Sequence, residues 1–161
     1  IRKGMASAIA PAPELPDAGP EDVQAKVHQG TVDFAPQLTV PAALDFQATI
    51  DRGAKIGRLQ FLRNRWVSQV RSIPGVEVLL PDDPSLYGAT TSFRLHGQTT
   101  PAANIALTDV LLNRFGIMTV HRIGLSGGTC IRATPSLFTS TVDVDKLAAA
   151  IQTLAAATAT K

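Results

Sequence analysis

The chain has 161 residues, 45% of them hydrophobic, with a formal charge of +2 and a pI near 9.0. So small a charge excess gives no argument for a nucleic-acid partner, and no apolar run is long enough to cross a bilayer. A single cysteine, Cys130, excludes an internal disulfide framework and leaves the compartment open, with a cytoplasmic location favoured and a periplasmic one still possible.

The chain opens on Ile1-Arg2-Lys3-Gly4 with no initiating methionine, which reads as the end of a strand whose preceding part lies outside the sequence. Residues 5–27 carry Pro11, Pro13, Pro16 and Pro20 and read as an irregular connector. His28-Gln29-Gly30-Thr31 is a turn signal. Helical periodicity begins near Thr39, with Pro41 tolerated in the first turn. A break or kink is expected near Gly53 and Gly57. Beyond it Ile56, Leu59, Leu62, Trp66, Val70 and Ile73 form one apolar stripe. Arg58, Arg63, Arg65 and Arg71 fall mostly outside the stripe and read as a solvated face, with no exposed aromatics interleaved as a nucleic-acid surface would need.

Ile73-Pro74-Gly75 ends the helix. From there the pattern is a compact α/β unit with strands expected over 76–80, 89–95, 117–121 and 129–134. Thr100-Pro101 is a cap followed by proline at the first helical position, and that helix carries Leu107, Val110, Leu111 and Phe115 before Gly116 stops it. A glycine-rich loop, Arg122-Ile123-Gly124-Leu125-Ser126-Gly127-Gly128, separates the last two strands. It lacks the spacing of a P-loop or a dinucleotide fingerprint. The final helix begins near Thr141 with Val144, Leu147, Ile151 and Leu154 as its buried stripe.

The most informative stretch is Cys130-Ile131-Arg132-Ala133-Thr134-Pro135 with the helix start that follows. An arginine within an apolar, β-prone run can grip a carboxylate through two parallel hydrogen bonds, such as the α-carboxylate of an amino acid. The same pattern also suits an ordinary salt bridge or a side chain reaching from a sheet edge to water. Cys130 beside Ile131 reads as a buried, inert thiol. His121 suits either the mouth of a site or a structural hydrogen bond at a strand end.

Taken in order, these parts resemble the C-terminal portion of class V aminotransferase-family enzymes, which depend on pyridoxal phosphate, in the isopenicillin N epimerase-like branch related to the cysteine desulfurases. The resemblance rests on Ile1-Arg2-Lys3-Gly4-Met5, on Gly30-Thr31-Val32-Asp33 with Val40-Pro41-Ala42-Ala43-Leu44-Asp45-Phe46, and on Ile73-Pro74-Gly75-Val76. It continues through the loop from Gly116 to Gly128, Ile131-Arg132-Ala133-Thr134-Pro135 and Val142-Asp143-Val144-Asp145-Lys146-Leu147.

The resemblance implies an α/β fold, the small C-terminal domain of a pyridoxal-phosphate-dependent transferase, with a sheet packed by helices. Residues 1–34 would end the large domain and form a connector, 35–72 a long kinked linking helix, and 73–161 the small domain. It also implies an amino-acid substrate held by Arg132, with Arg122 and His121 as further substrate contacts. Gly30 and Thr31 would reach the cofactor phosphate of a neighbouring subunit in a homodimer. The segment that carries a nucleophilic cysteine in desulfurases has none here, so desulfurase chemistry is disfavoured. Epimerase, C–S lyase and aminotransferase remain. The Schiff-base lysine belongs to the family's large domain, and Lys3, Lys26, Lys55, Lys146 and Lys161 do not match it, so no catalytic residue is assigned in this chain. A non-catalytic α/β binding or interaction module is the alternative. Neither reading includes a metal, a nucleic acid or a membrane.

Overall fold

A computed structural model describes residues 35–159, and these fall into two units that divide between Thr49 and Ile50. The expectations for residues 1–34, including Gly30, Thr31 and Lys3, lie outside the described residues. In the first unit, α1 (Ala35–Leu38) leads into α2 (Val40–Ala48). Pro41 sits in the first turn of α2, where a missing N–H costs nothing.

The second unit begins with α3 (Arg52–Val70). The expected break falls just before Gly53, since α2 ends at Ala48 and α3 starts at Arg52, while Gly53 and Gly57 themselves lie inside α3. The helix begins where the Asp51 carboxylate accepts from the Ala54 N–H at 2.9 Å, an N-cap that satisfies an otherwise orphaned donor. Leu62, Trp66 and Val70 are fully buried on the expected stripe, whereas Ile56 is 44% exposed. Arg63 is also buried, at 1% exposure, so the basic face of α3 is not uniformly solvated.

Gly75, with φ of 88°, turns the chain into β1 (Val76–Val78). Next come β2 (Thr91–Leu95), α4 (Pro101–Phe115), β3 (Val120–Arg122), β4 (Cys130–Ala133) and α5 (Thr141–Ala159). The Thr100 hydroxyl accepts from Ala103 N–H at 3.3 Å at the start of α4. Gly116, at φ 63°, ends α4 in the left-handed region and returns its N–H to Leu111 and Leu112 carbonyls. Ser140 and Asp143 form a reciprocal cap on α5, with Ser140 N–H donating to Asp143 Oδ2 at 2.8 Å and Asp143 N–H to Ser140 Oγ at 3.2 Å.

The four strands form one antiparallel sheet in the order β1-β2-β4-β3. The three helices supply Leu62, Trp66, Val70, Leu107, Leu111, Val144, Leu147 and Ile151 to a single core with Phe93, Leu95, Ile131 and Ala133 of the sheet. Trp66 meets Phe93 edge-on at 5.9 Å. The unit is therefore two-layered, and side-chain alternation along the strands leaves the other face of the sheet for different residues.

Candidate functional site

β4 is flanked on both sides, by β2 and β3, and Arg132 lies opposite Ser92 of the one and Val120 of the other. Its neighbours Ile131 and Ala133 point into the core at 0% and 4% exposure. Alternation therefore turns Arg132 away from the helices, onto a face it shares with Ser92, Arg94, Val120, Arg122 and Cys130. Arg132 is half-buried. Its Nε is fully buried and has no hydrogen-bond partner. Among the described residues no acid pairs with its guanidinium. A buried guanidinium donor without an acceptor is costly, and a carboxylate set against it would remove that cost.

The two other arginines on this face differ in state. Arg94, 7% exposed, is already paired, with its Nε 2.9 Å from Glu77 Oε2, the cross-strand neighbour on β1. It also donates to the Gly127 carbonyl, tying the glycine loop down over the face. Gly128 completes the anchor. Its φ of 98° suits glycine, and a Cβ there would lie 2.6 Å from the Thr99 Cβ. Thr129 N–H donates to the Thr99 carbonyl at 2.7 Å, and the buried Asn104 amide reaches the Gln98 and Thr100 carbonyls. The rest of the loop, 123–127, is exposed.

Arg122 is exposed, lies opposite Cys130, and donates only a 3.4 Å bond to its own neighbour, the His121 carbonyl. It stands diagonally across from Arg132 on the same face. His121 lies opposite Ile131, so its side chain starts from the other face, at the outer strand of the sheet. The structure thus brings Arg122 and Arg132 together and sets His121 apart from them.

Arg94 was not singled out in the sequence, although Phe93-Arg94-Leu95 repeats the Ile131-Arg132-Ala133 pattern of an arginine between two core residues. That alternation was the available signal. Cys130 is 1% exposed. The described lysines, Lys55 and Lys146, belong to α3 and α5, in the layer opposite the Arg132 face. Among the described residues no cluster of His, Cys, Asp or Glu could hold a metal ion, and no helix is long and apolar enough to cross a membrane.

No protein-family model matches the chain. An isopenicillin N epimerase of Amycolatopsis lactamdurans is 32% identical over 126 residues, 78% of this chain and 31% of that protein. An isopenicillin N epimerase of Streptomyces clavuligerus is 31% identical over the same length and shares. The chain therefore spans about a third of the curated relatives it matches. Among solved structures, a cysteine desulfurase from Escherichia coli superposes with a TM-score of 0.63 at 20% identity, over 80% of this chain and 32% of that one. A tryptophan decarboxylase of Catharanthus roseus, solved with L-tryptophan, gives 0.52 at 22% identity, over 65% and 22%. Both have the fold of pyridoxal-phosphate-dependent transferases, which the sheet and helices here share. With that fold, and with epimerase relatives extending over most of its length, the chain is a class V aminotransferase-like polypeptide.

Proposed function

We propose that the chain contributes the substrate-carboxylate site of a pyridoxal-phosphate-dependent enzyme acting on an amino acid, of epimerase, C–S lyase or aminotransferase type. The observation that carries this reading is Arg132: a guanidinium on the open face of the sheet, with its Nε buried and no described partner. A planar fork of donors fixes both the position and the plane of a carboxylate. Fixing that plane sets which bond of the substrate's α-carbon is presented for cleavage. Arg122 adds positive charge on the same face, which draws an anionic substrate toward Arg132. His121 would reach the substrate only round the outer strand.

The described residues fit the substrate's carboxylate and not the covalent anchor of the cofactor, since the face offers guanidiniums and no lysine. Gly30 and Thr31 would hold the cofactor phosphate of a neighbouring subunit, through a close backbone approach, an N–H and a hydroxyl. Pyridoxal phosphate supplies, when bound, the electron sink for charge at the α-carbon. Ser126 has no described base to activate it, so nucleophilic chemistry from the glycine loop is not part of the reading.

The test is Arg132→Ala and Arg132→Lys in the cofactor-loaded enzyme. The alanine variant is expected to raise KM for the amino acid by about a hundredfold or more, because a buried charge pair is lost. The lysine variant restores charge without the fork and recovers only part of that. Absorbance of the bound cofactor stays the same in both. An unchanged KM in the alanine variant removes Arg132 from the site. A colourless protein that takes up no pyridoxal phosphate favours the non-catalytic module.

A further inference from the structure

The flank of α3 carries a second group of unpaired guanidinium donors, separate from the Arg132 face. A cleft of ≈ 330 Å³ is walled by Arg63, Asn64, Ser68 and Arg71 on one side and by Asp82 and Tyr87, from the β1–β2 connection, on the other. Arg63 and Arg71 are eight residues apart, two helical turns along one stripe.

Arg63 is held rigidly. Its Nε donates to Thr91 Oγ1 at 3.1 Å, its NH1 donates to Asn64 Oδ1 at 2.8 Å, and its plane lies 3.7 Å from the Tyr87 ring centroid. Arg71 donates through NH2 to the Leu80 carbonyl at 3.3 Å. Both guanidiniums converge on one atom: Asp82 Oδ1 lies 3.6 Å from Arg63 NH1 and 3.1 Å from Arg71 NH2.

Asp82 does not satisfy this pair. Its side chain is 66% exposed, while that of Arg63 is 1% exposed. Two cations face one carboxylate, so one positive charge is left over. Arg63 NH2 and Arg71 Nε are buried with no acceptor. With Asp82 as the one acid in its lining, the cleft is left with more guanidinium charge than acceptor. One terminal nitrogen from each of two guanidiniums meets at this point, and an anion with several oxygens, such as phosphate, can accept from both at once.

We propose that this cleft is a phosphate site, taking free phosphate or the phosphate group of a small molecule, and that Asp82 is a tethered carboxylate that occupies the anion position in its absence. The site stands apart from the amino-acid reading and does not depend on it.

Inorganic phosphate is titrated into the whole chain, with sodium chloride at matched ionic strength as the control. Calorimetry and thermal melting provide the readouts. Saturable heat and a phosphate-specific rise in Tm are expected. Arg71→Gln, at the cleft's more exposed wall, is expected to weaken binding about tenfold or more. Asp82→Asn removes the competing carboxylate and is expected to tighten binding about fivefold. A phosphomonoester such as glycerol phosphate, run in parallel, separates the two sources: a tighter response marks an esterified ligand and an equal one marks free phosphate. A Tm rise no larger in phosphate than in chloride overturns the proposal. So does an Asp82→Asn variant that melts lower and no longer responds to phosphate, which would make Asp82 a plain structural latch.

Discussion

Arg65 and Asp145 join α3 to α5 through two hydrogen bonds of 2.8 and 2.7 Å, and Gln69 adds a third at 2.9 Å. The hydrogen bond from Arg65, followed by that from Gln69, holds the Asp145 carboxyl below its usual 3.8. The bonds from Ser140 do the same for Asp143 at the start of α5. A carboxyl whose folded pKa is depressed adds stability above its ordinary value and loses it as pH falls through the depressed value. The chain should therefore become steadily less stable to heat below about pH 4, with Asp143 and Asp145 contributing to the fall. Asp145→Asn should lower Tm at neutral pH and flatten that acid limb, so that the variant and the parent converge at low pH; parallel acid limbs in a pH series of melts would refute the pairing. The placement of Arg132 on the sheet face away from the core was legible at this scale because its neighbours in sequence are core residues. The burial of Arg63 was not, because Thr91, Tyr87 and Asp82, which surround it, come from distant parts of the chain.

Helices were easier to read than strands. Caps are local, so Thr100-Pro101, Gly116 and Ser140 with Asp143 mark the ends of α4 and the start of α5 within a few residues. Strand ends depend on which partner lies alongside, and no local residue announces that. Hence the expected strand over 76–80 is regular only over Val76–Val78, and that over 117–121 is displaced to Val120–Arg122. The junction of α3 with the sheet gives a test of packing. Trp66 is fully buried, yet its indole N–H has no partner. Trp66→Ala should cost about 3–5 kcal/mol by opening a cavity. Trp66→Phe removes the unsatisfied donor together with less volume, and should cost only about 1–2 kcal/mol. Urea unfolding followed by far-UV circular dichroism measures both. Equal losses would contradict the cavity account, since phenylalanine fills most of the volume that alanine leaves empty.

For the whole molecule, the helix-covered face of the sheet gives the fold and the other face gives the proposed substrate contact. The fold is shared with the solved desulfurase and decarboxylase. The chain spans about a third of the epimerases it resembles, so substrate, reaction and subunit partner rest on the proposal above. Cys130 ties these levels together. It is the chain's one thiol, it is 1% exposed, and it sits on β4, a strand paired on both sides. An alkylating reagent can meet it only when β4 or the glycine loop over its face opens. Labelling of the folded chain should run about a hundredfold or more slower than that of an unstructured peptide thiol, and should yield one adduct per chain by mass. Modification at the free-thiol rate would contradict the burial. The cysteine thus serves as an internal stopwatch for breathing of the central strand. Adding a ligand that grips Arg132, two residues further along, should slow its hand.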